Sequence, residues 1–478
     1  PRTPPQARSP IAADPLIPPF KHPELTLEET GLLAQDRPIH LSGISGSAMS
    51  GLARILVQRG FGVTGTDPSP DEATRRRLEA LGIEVVTRQD GSAVPSDAQL
   101  VIASAALKPE HPELTAARAR GVPVVKYAAV LGALFNAGEG LAVAGTHGKT
   151  TTTAMIVTAL RAAGADPGFV VGGLVPQIGA SASAGTSDVF VAEACEYDRS
   201  FLNLRPKRAI ITNIDDDHLD IYGDIAGVER AFAEFASRVA EDGTLFVCAD
   251  DPRLASIAAA RKGRCVSYSA SGTPADWEAR GVRVDGSRTR FDIYRGGAFA
   301  LATSIRIPGR HNVGNALAAL AAACDLGFSL ETLAEGIAEF LGAARRFQLL
   351  GEAGGAAFVD DYGHHPTEIR AVLDGARERY AGRRIIAVFQ PHQVARTRLL
   401  FDELKNAFER ADLVVLTDIY AARDALASPD EKSALPLAEA IRATGKRVLH
   451  APSLDDATCA VLSELAEGDV VLTIGAGD

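Results

Sequence analysis

Cysteine is scarce in this 478-residue chain: there are five, Cys195, Cys248, Cys265, Cys324 and Cys459, an odd number and never in Cys-x-x-Cys spacing. That excludes a zinc ribbon or a redox pair and fits a reducing compartment. No apolar run is long enough to cross a bilayer, and no charged-then-apolar leader opens the chain, so no membrane partner is expected and the expected location is cytoplasmic. Positive charge is also short. Lys and Arg total 49 against 60 Asp and Glu, a formal net charge of −11, which argues against the basic face that nucleic-acid binding needs. Small anionic nucleotides stay within reach, because one loop and a few Lys or Arg suffice for them.

The chain is 46% hydrophobic and 23% charged, ordinary for a globular protein, and its length has room for two to four compact domains. Residues 1–36 are Pro-rich without apolar periodicity and read as a mobile, disordered extension. From Ile39 onward short apolar runs, at 39–43, 63–67, 100–103 and 122–125, alternate with helical stretches such as 47–59. Strands that alternate with helices imply parallel βαβ units, since a parallel return needs a crossover.

A second series opens at Leu141. It includes a polar stretch, 270–295, that reads as an antiparallel excursion, and two helical signals at 312–324 and 330–341. A third series follows from Arg345, with strands expected at 357–359, 385–389, 413–417, 448–450 and 470–474. The expected fold is α/β in three domains, 37–139, 140–342 and 343–478, each on a mainly parallel sheet with flanking helices. The final Gly475-Ala476-Gly477-Asp478 follows directly on a strand, where a further helix is expected.

The sharpest motif follows the buried run Ala142-Val143-Ala144: Gly145-Thr146-His147-Gly148-Lys149-Thr150-Thr151, leading into a helical stretch. A strand, a glycine turn and a helix N-terminus bring backbone N–H groups, a lysine and the helix dipole to one anion. Lys149 suits the β- and γ-phosphates and Thr150 suits Mg²⁺. Val143 stands where the usual G-x-x-x-x-G-K-T pattern has Gly. ATP or a close nucleotide is expected here.

Two acidic clusters end buried strands further on. Glu193, Glu196 and Asp198 follow 189–191, and Asp215-Asp216-Asp217-His218 follows 209–214. Ligands of an open parallel sheet gather at such strand ends, and carboxylate oxygens suit Mg²⁺. Asp215–Asp217 read at least equally well as a solvated acidic turn.

With these motifs the chain resembles the Mur ligases, specifically their alanine-adding branch. Further marks are Thr212-Asn213-Ile214, His311-Asn312-Val313-Gly314-Asn315, Arg345-Arg346-Phe347-Gln348 and Asp360-Asp361-Tyr362-Gly363-His364-His365-Pro366-Thr367-Glu368. The resemblance implies a Rossmann-like N-terminal domain for the UDP substrate, a central P-loop ATPase domain and a Rossmann-like C-terminal domain that closes over the amino acid. It implies ATP on Gly145, Thr146, His147, Gly148, Lys149, Thr150 and Thr151, with His311, Asn312 and Asn315 near adenine and Arg346 and Asp361 reaching over. Mg²⁺ would lie on Thr150 and Glu193, and a second ion on His218.

Lys149, His218, Arg346 and His364 are the implied catalytic set. His364, His392 and Arg396 are expected at the amino acid, and Gly43, Ser45, Gly46 and Asp67 at the UDP substrate. The implied substrates are UDP-N-acetylmuramate and L-alanine, and the implied reaction runs through an acyl phosphate. The expected state is a monomer or weak homodimer. Residues 228–239 lack the lysine that other amino-acid-adding branches carry.

The chain departs from the family pattern at Ser45 and Ala48, where Gly is usual, at Gln393, where Arg is usual, and over 181–186, which lacks Asn-Ala-Arg. Three other readings are a sibling such as a muropeptide or folate-polyglutamate ligase, a UDP-sugar sensor with a degenerate site, and a nicotinamide dehydrogenase suggested by the first loop alone.

Overall fold

The computed structural model describes residues 36–422 and 427–477; apart from residue 36, the expected extension lies outside the described residues. Three sheets follow one another along the chain. The first has five parallel strands in the order Val85–Val86, Val63–Thr66, Ile39–Ser42, Leu100–Ala103 and Val124–Lys126. Its two central strands, Ile-His-Leu-Ser and Leu-Val-Ile-Ala, are buried throughout, as strands covered on both faces must be.

The second sheet has ten strands. Its parallel centre holds Thr244–Cys248, Arg208–Ile211, Glu139–Ala144 and Val189–Glu193 side by side. The polar stretch forms an antiparallel run, Trp277–Asp285, Arg288–Arg295 and Ala298–Ile305, as its alternation suggested. An antiparallel edge, Ala180–Ser183 on Gly168–Val175, was not legible in the sequence. Its Ala-Ser-Ala-Ser run lacks β-branched or aromatic side chains, so its strand character comes from pairing. Helices Lys149–Ala162, Arg310–Asp325 and Leu330–Ala338 pack together on this sheet. They approach closely because their contacts are small: a Cβ at Gly336 would lie 2.6 Å from the Ala162 Cβ.

The third sheet runs Gln348–Ala353, Ala356–Asp361, Val470–Ile474, Ile385–Phe389, Leu413–Leu416 and Val448–His450, parallel except for its first strand. That first strand is also absent from the sequence reading, and its outward residues are largely exposed.

The three sheets join in different ways. One continuous apolar core runs from the first sheet into the second, from Ile39 and Leu52 to Phe201 and Phe235. Helix Ser47–Gln58 lies on the edge strand, and Gln58 Oε1 accepts from the Ala184 N–H at 2.8 Å. The third sheet has apolar cores of its own on its two faces, and it meets the second sheet through polar contacts. Among the described residues no helix is long and apolar enough to cross a membrane.

Candidate active site

The phosphate loop connects Glu139–Ala144 to helix Lys149–Ala162. Gly145, at φ +130°, has no room for a side chain, since a Cβ would lie 1.9 Å from Thr212 Oγ1. The loop is held from the neighbouring strand end. His147 N donates to Asn213 Oδ1 at 2.8 Å, Thr212 Oγ1 donates to the His147 carbonyl at 2.6 Å, and Asp215 N donates to Thr146 Oγ1 at 2.9 Å. Thr212 and Asn213, recognised in the sequence only as motif letters, therefore work as struts.

Lys149 turns back onto its own loop. Its Nζ donates to the Gly145 and Thr146 carbonyls at 2.6 and 2.9 Å and pairs with Glu196 at 2.9 Å. Burial works against the ammonium, but Glu196 and its acidic neighbours outweigh it and hold the lysine above its ordinary range. Thr150 Oγ1 donates to Glu193 Oε1 at 3.0 Å, and the other Glu193 oxygen accepts from Gly172 N at 2.6 Å. The expected metal pair, Thr150 and Glu193, is thus one oxygen-only cluster. His218 sits apart in a left-handed conformation at φ +54°, its ring edge-on to Tyr197 at 5.3 Å and 3.8 Å from Asp217.

The chain enters the third sheet through Arg345, Arg346 and Phe347, with φ +57° at Arg345 and +49° at Phe347. Such backbone strain in non-glycine residues needs outside support. Asp361, 4% exposed, accepts from Phe347 N and Gly363 N at 2.8 and 2.7 Å. Burial raises its carboxyl to about 6 against the pull of Arg346 and those two N–H groups.

A raised carboxyl means the folded chain keeps a proton that the unfolded chain releases, so stability falls as pH rises from about 4 through 6. Urea unfolding of the nucleotide-free chain should therefore favour Asp361→Asn over wild type by about 2 kcal/mol more at pH 8 than at pH 4. A difference that does not vary with pH would contradict the shifted carboxyl.

Glu368 stands at the centre of the seam between the second and third sheets. It is the third residue of helix Pro366–Arg379 and closes a capping box with His365. One oxygen accepts from His364 N at 3.0 Å; the other lies 3.3 Å from His147 Nδ1 and 3.6 Å from Arg346. Asp215 faces it across the seam, accepting from Thr367 Oγ1 at 2.7 Å and lying 3.0 Å from His147 Nε2. Burial alone would make His147 a weaker base, but its two carboxylate partners raise it to about 9.

Asp217 pairs with Arg396 at 2.9 Å, and each side chain is 11% exposed. The reading of Asp215–Asp217 as a solvated turn fails for the first and last. Both are partly buried and paired across the domains, Asp215 with His365 at 3.6 Å and Asp217 with Arg396, because the third domain covers a turn that a linear sequence shows as bare. Glu368, like Thr367 and His365, is legible in the sequence only as a motif letter. The spacing His365-x-x-Glu368 was the one available hint, as a helix cap.

His364 lies beside this group, its ring edge-on to Tyr362 at 5.7 Å and 5.9 Å from His392. Burial keeps its imidazole below its ordinary value, with Glu368 pulling the other way. Arg396 also reaches His392 Nδ1 at 3.1 Å. Gln393 precedes the short helix Val394–Leu399 at φ +66° and donates its backbone N–H to the Tyr420 carbonyl at 2.8 Å.

Two cavities open on these groups. One of about 630 Å³ lies between the second and third sheets. Its lining includes His147, Gly148, Thr150, Thr151, His311, Asn312, Asn315, Arg346 and Asp361 from the sequence expectation. Asp250, Asp251, Arg253, Tyr268 and Arg310 line it as well and carried no signal in the sequence. The other, of about 760 Å³, lies where the first sheet meets the second. Ser45, Gly46 and Asp67 line it, with Arg54 and Arg77 as unforeseen cations. Gly43 stands behind it as the turn, at φ +79°, its N–H donating to the Thr66 carbonyl at 2.8 Å. Asp67 Oδ2 accepts from Ser45 N at 3.2 Å.

A phosphate loop faced by a second α/β domain across a polar cleft, with a further pocket on an N-terminal Rossmann-like sheet, is the arrangement of a three-domain nucleotide-dependent ligase. The chain matches the Mur ligase family catalytic domain over residues 38–139, the Mur ligase middle domain over 143–323, and the Mur ligase glutamate ligase domain over 345–477. It belongs to the Mur ligase family. It is 42% identical to the UDP-N-acetylmuramate–L-alanine ligase of Pelotomaculum thermopropionicum over 444 residues, covering 92% of this chain and 95% of that one. Against the Burkholderia ambifaria enzyme of the same name the identity is 43% over 450 residues, with the same coverage. Among solved structures it is similar to the UDP-N-acetylmuramate-alanine ligase MurC of Thermotoga maritima, at 27% identity and TM-score 0.77, over 92% of this chain and 96% of that one. A murein peptide ligase of Psychrobacter arcticus matches at 26% identity and TM-score 0.68, with the same coverage.

Proposed function

We propose that this chain is an ATP-dependent ligase that joins L-alanine to the carboxylate of UDP-N-acetylmuramate, in cytoplasmic peptidoglycan precursor synthesis. The observation that carries this reading is one cleft in which the phosphate loop and Thr150 of the second domain face Arg346, Asp361 and Glu368 of the third. Its specificity for alanine is supported by the 42–43% identity to two relatives of that name. The division of labour would be a UDP-binding domain over 37–139, an ATP-binding domain over 140–342, and a domain closing over the amino acid from 343.

A carboxylate resists an amine, because its charge repels nucleophiles and oxide is a poor leaving group. Taking the γ-phosphoryl of ATP converts it to an acyl phosphate, whose leaving group is phosphate. This transfer depends mainly on positioning and charge neutralisation. Lys149 would exchange Glu196 for the β- and γ-phosphates, and Arg346 would reach the same charge from across the cleft. The Gly145–Gly148 turn leaves backbone N–H groups at the head of the helix for the remaining oxygens.

The hydroxyl of Thr150 and the carboxylate of Glu193, 3.0 Å apart, form an oxygen donor set that fits Mg²⁺. The ion, when bound there, supplies charge neutralisation on the phosphates. The family resemblance assigns His218 to a second ion, although an imidazole nitrogen is a less common Mg²⁺ partner than oxygen. His364, whose imidazole burial holds below its ordinary value, would take the proton that the alanine amine loses. Arg396 would hold the alanine carboxylate, with His392 at its side. Closure of the polar seam would exclude water from the acyl phosphate.

ADP release, measured with UDP-N-acetylmuramate plus alanine, glycine, serine or an alanyl tripeptide, tests the assignment. Alanine should give the highest kcat/KM. Preference for the tripeptide would move the chain to the muropeptide ligases, and no turnover with any amine would favour a UDP-sugar sensor.

A further inference from the structure

We propose that His147, Asp215 and His365 form a binding site for a divalent transition-metal ion, Zn²⁺ in the first instance, that holds the second and third domains together. The site goes beyond the ligase reading and uses none of the residues assigned there to Mg²⁺. Asp215 Oδ2 lies 3.0 Å from His147 Nε2 and 3.6 Å from His365 Nδ1, and the three atoms lie within 4.8 Å of one another. An ion bound to nitrogen and oxygen at about 2.1 Å in tetrahedral geometry spreads its ligands by about 3.4 Å. The two measured separations bracket that value.

Two imidazole nitrogens and one carboxylate oxygen suit Zn²⁺, Co²⁺ or Ni²⁺, whereas Mg²⁺ takes oxygen. The surroundings are those of a supported site. Glu368 Oε1 lies 3.3 Å from the other nitrogen of His147, the carboxylate–histidine–metal relation that fixes a ligand ring. Thr367 Oγ1 donates to Asp215 Oδ2 at 2.7 Å and so orients the carboxylate. His365 is 1% exposed, and its ring lies 5.0 Å from that of His147. Binding would release the Nε2 proton of His147 to water and replace the long 3.3 Å contact from Thr367 N to His365 Nδ1. His147 and Asp215 also line the cavity between the second and third sheets, from which water can complete the coordination.

The three ligands come from the phosphate loop, the turn after Arg208–Ile211, and the cap of helix Pro366–Arg379. The site therefore exists only while the domains are together. An ion there opposes reopening and slows any turnover that needs product release.

The test is titration of the full chain with Co²⁺, followed by its visible d–d absorption, and with Zn²⁺ by calorimetry. Wild type should bind one ion. His365→Asn retains a capping side chain for Thr367 N and removes a ligand. Its affinity should fall by at least about 10–100-fold, the loss typical of an outer partner. His365→Ser, also a capping residue, serves if the first variant melts early. In excess Mg²⁺, Zn²⁺ should inhibit ADP release by wild type and not by His365→Asn. Equal affinity in wild type and both variants, absence of the cobalt band, or binding lost in Glu193→Gln in place of His365→Asn would overturn the proposal. The cobalt band needs no substrate, so it stands apart from any failure of the ligase assignment.

Discussion

Lys149→Ala is expected to lower kcat/KM for ATP by about 10³-fold or more, a loss of about 4 kcal/mol in transition-state stabilisation. Two effects add. The ammonium that would meet the developing phosphoryl charge is removed, and Glu196, 3% exposed, is left as a bare carboxylate facing the incoming phosphates. The second effect also costs stability, because a buried carboxylate without its cation is penalised by about 3–5 kcal/mol.

Adding Glu196→Gln should separate the two. The double variant should regain much of the melting temperature and little of the ADP release. Turnover near wild type in Lys149→Ala would remove the phosphate-loop assignment. Recovery of turnover in the double variant would show that the lysine serves only to neutralise Glu196.

Arg396→Ala is the second large effect. The side chain is almost buried and bridges the seam to Asp217 at 2.9 Å. Its loss should raise the KM for alanine and lower kcat, by about 10²–10³-fold combined, with the ATP KM changing far less. Arg396→Lys should rescue poorly, since a point charge cannot hold a carboxylate, His392 and Asp217 with one planar fork. A purely structural Arg396 would act through Asp217 alone. In that case Asp217→Asn together with Arg396→Gln, which removes both charges, should restore alanine kinetics. The amino-acid role predicts that it does not. Steady-state ADP release at varied alanine distinguishes the two outcomes.

Both predictions depend on how the domains are joined. The first and second share an apolar core, which makes separation costly. The third meets the second through Glu368, Thr367 and Arg396 on one side and His147, Asp215 and Asp217 on the other. Hydrogen bonds and ion pairs of this kind exchange readily for water, so the polar seam is the one suited to opening.

Much of the site was legible because its chemistry is local. Gly145, Gly148, Lys149 and Thr150 lie within six residues, and a strand before and a helix after them are enough to imply a phosphate. The helix at Arg310–Asp325 announced itself through an Ala-rich periodic face, and the antiparallel run through its alternation. The edge strands Ala180–Ser183 and Gln348–Ala353 gave no such sign, since their hydrogen-bond partners, more than their side chains, make them strands.

The partners of Asp215 and Asp217 were not legible for a related reason. A carboxylate is solvated or buried according to what covers it, and here the cover arrives from a segment about 150 to 180 residues further along. The order of residues by itself determined the three α/β units, the phosphate loop and the carboxylates and histidine available to the chemistry, because periodicity and short motifs are properties of neighbours in sequence. Only the tertiary structure decided that Lys149 rests on Glu196, that Glu368 ties His147 to Arg346, and that one domain interface is apolar and the other polar. Those are distances between remote segments, and burial and Coulomb energy depend on distance in space.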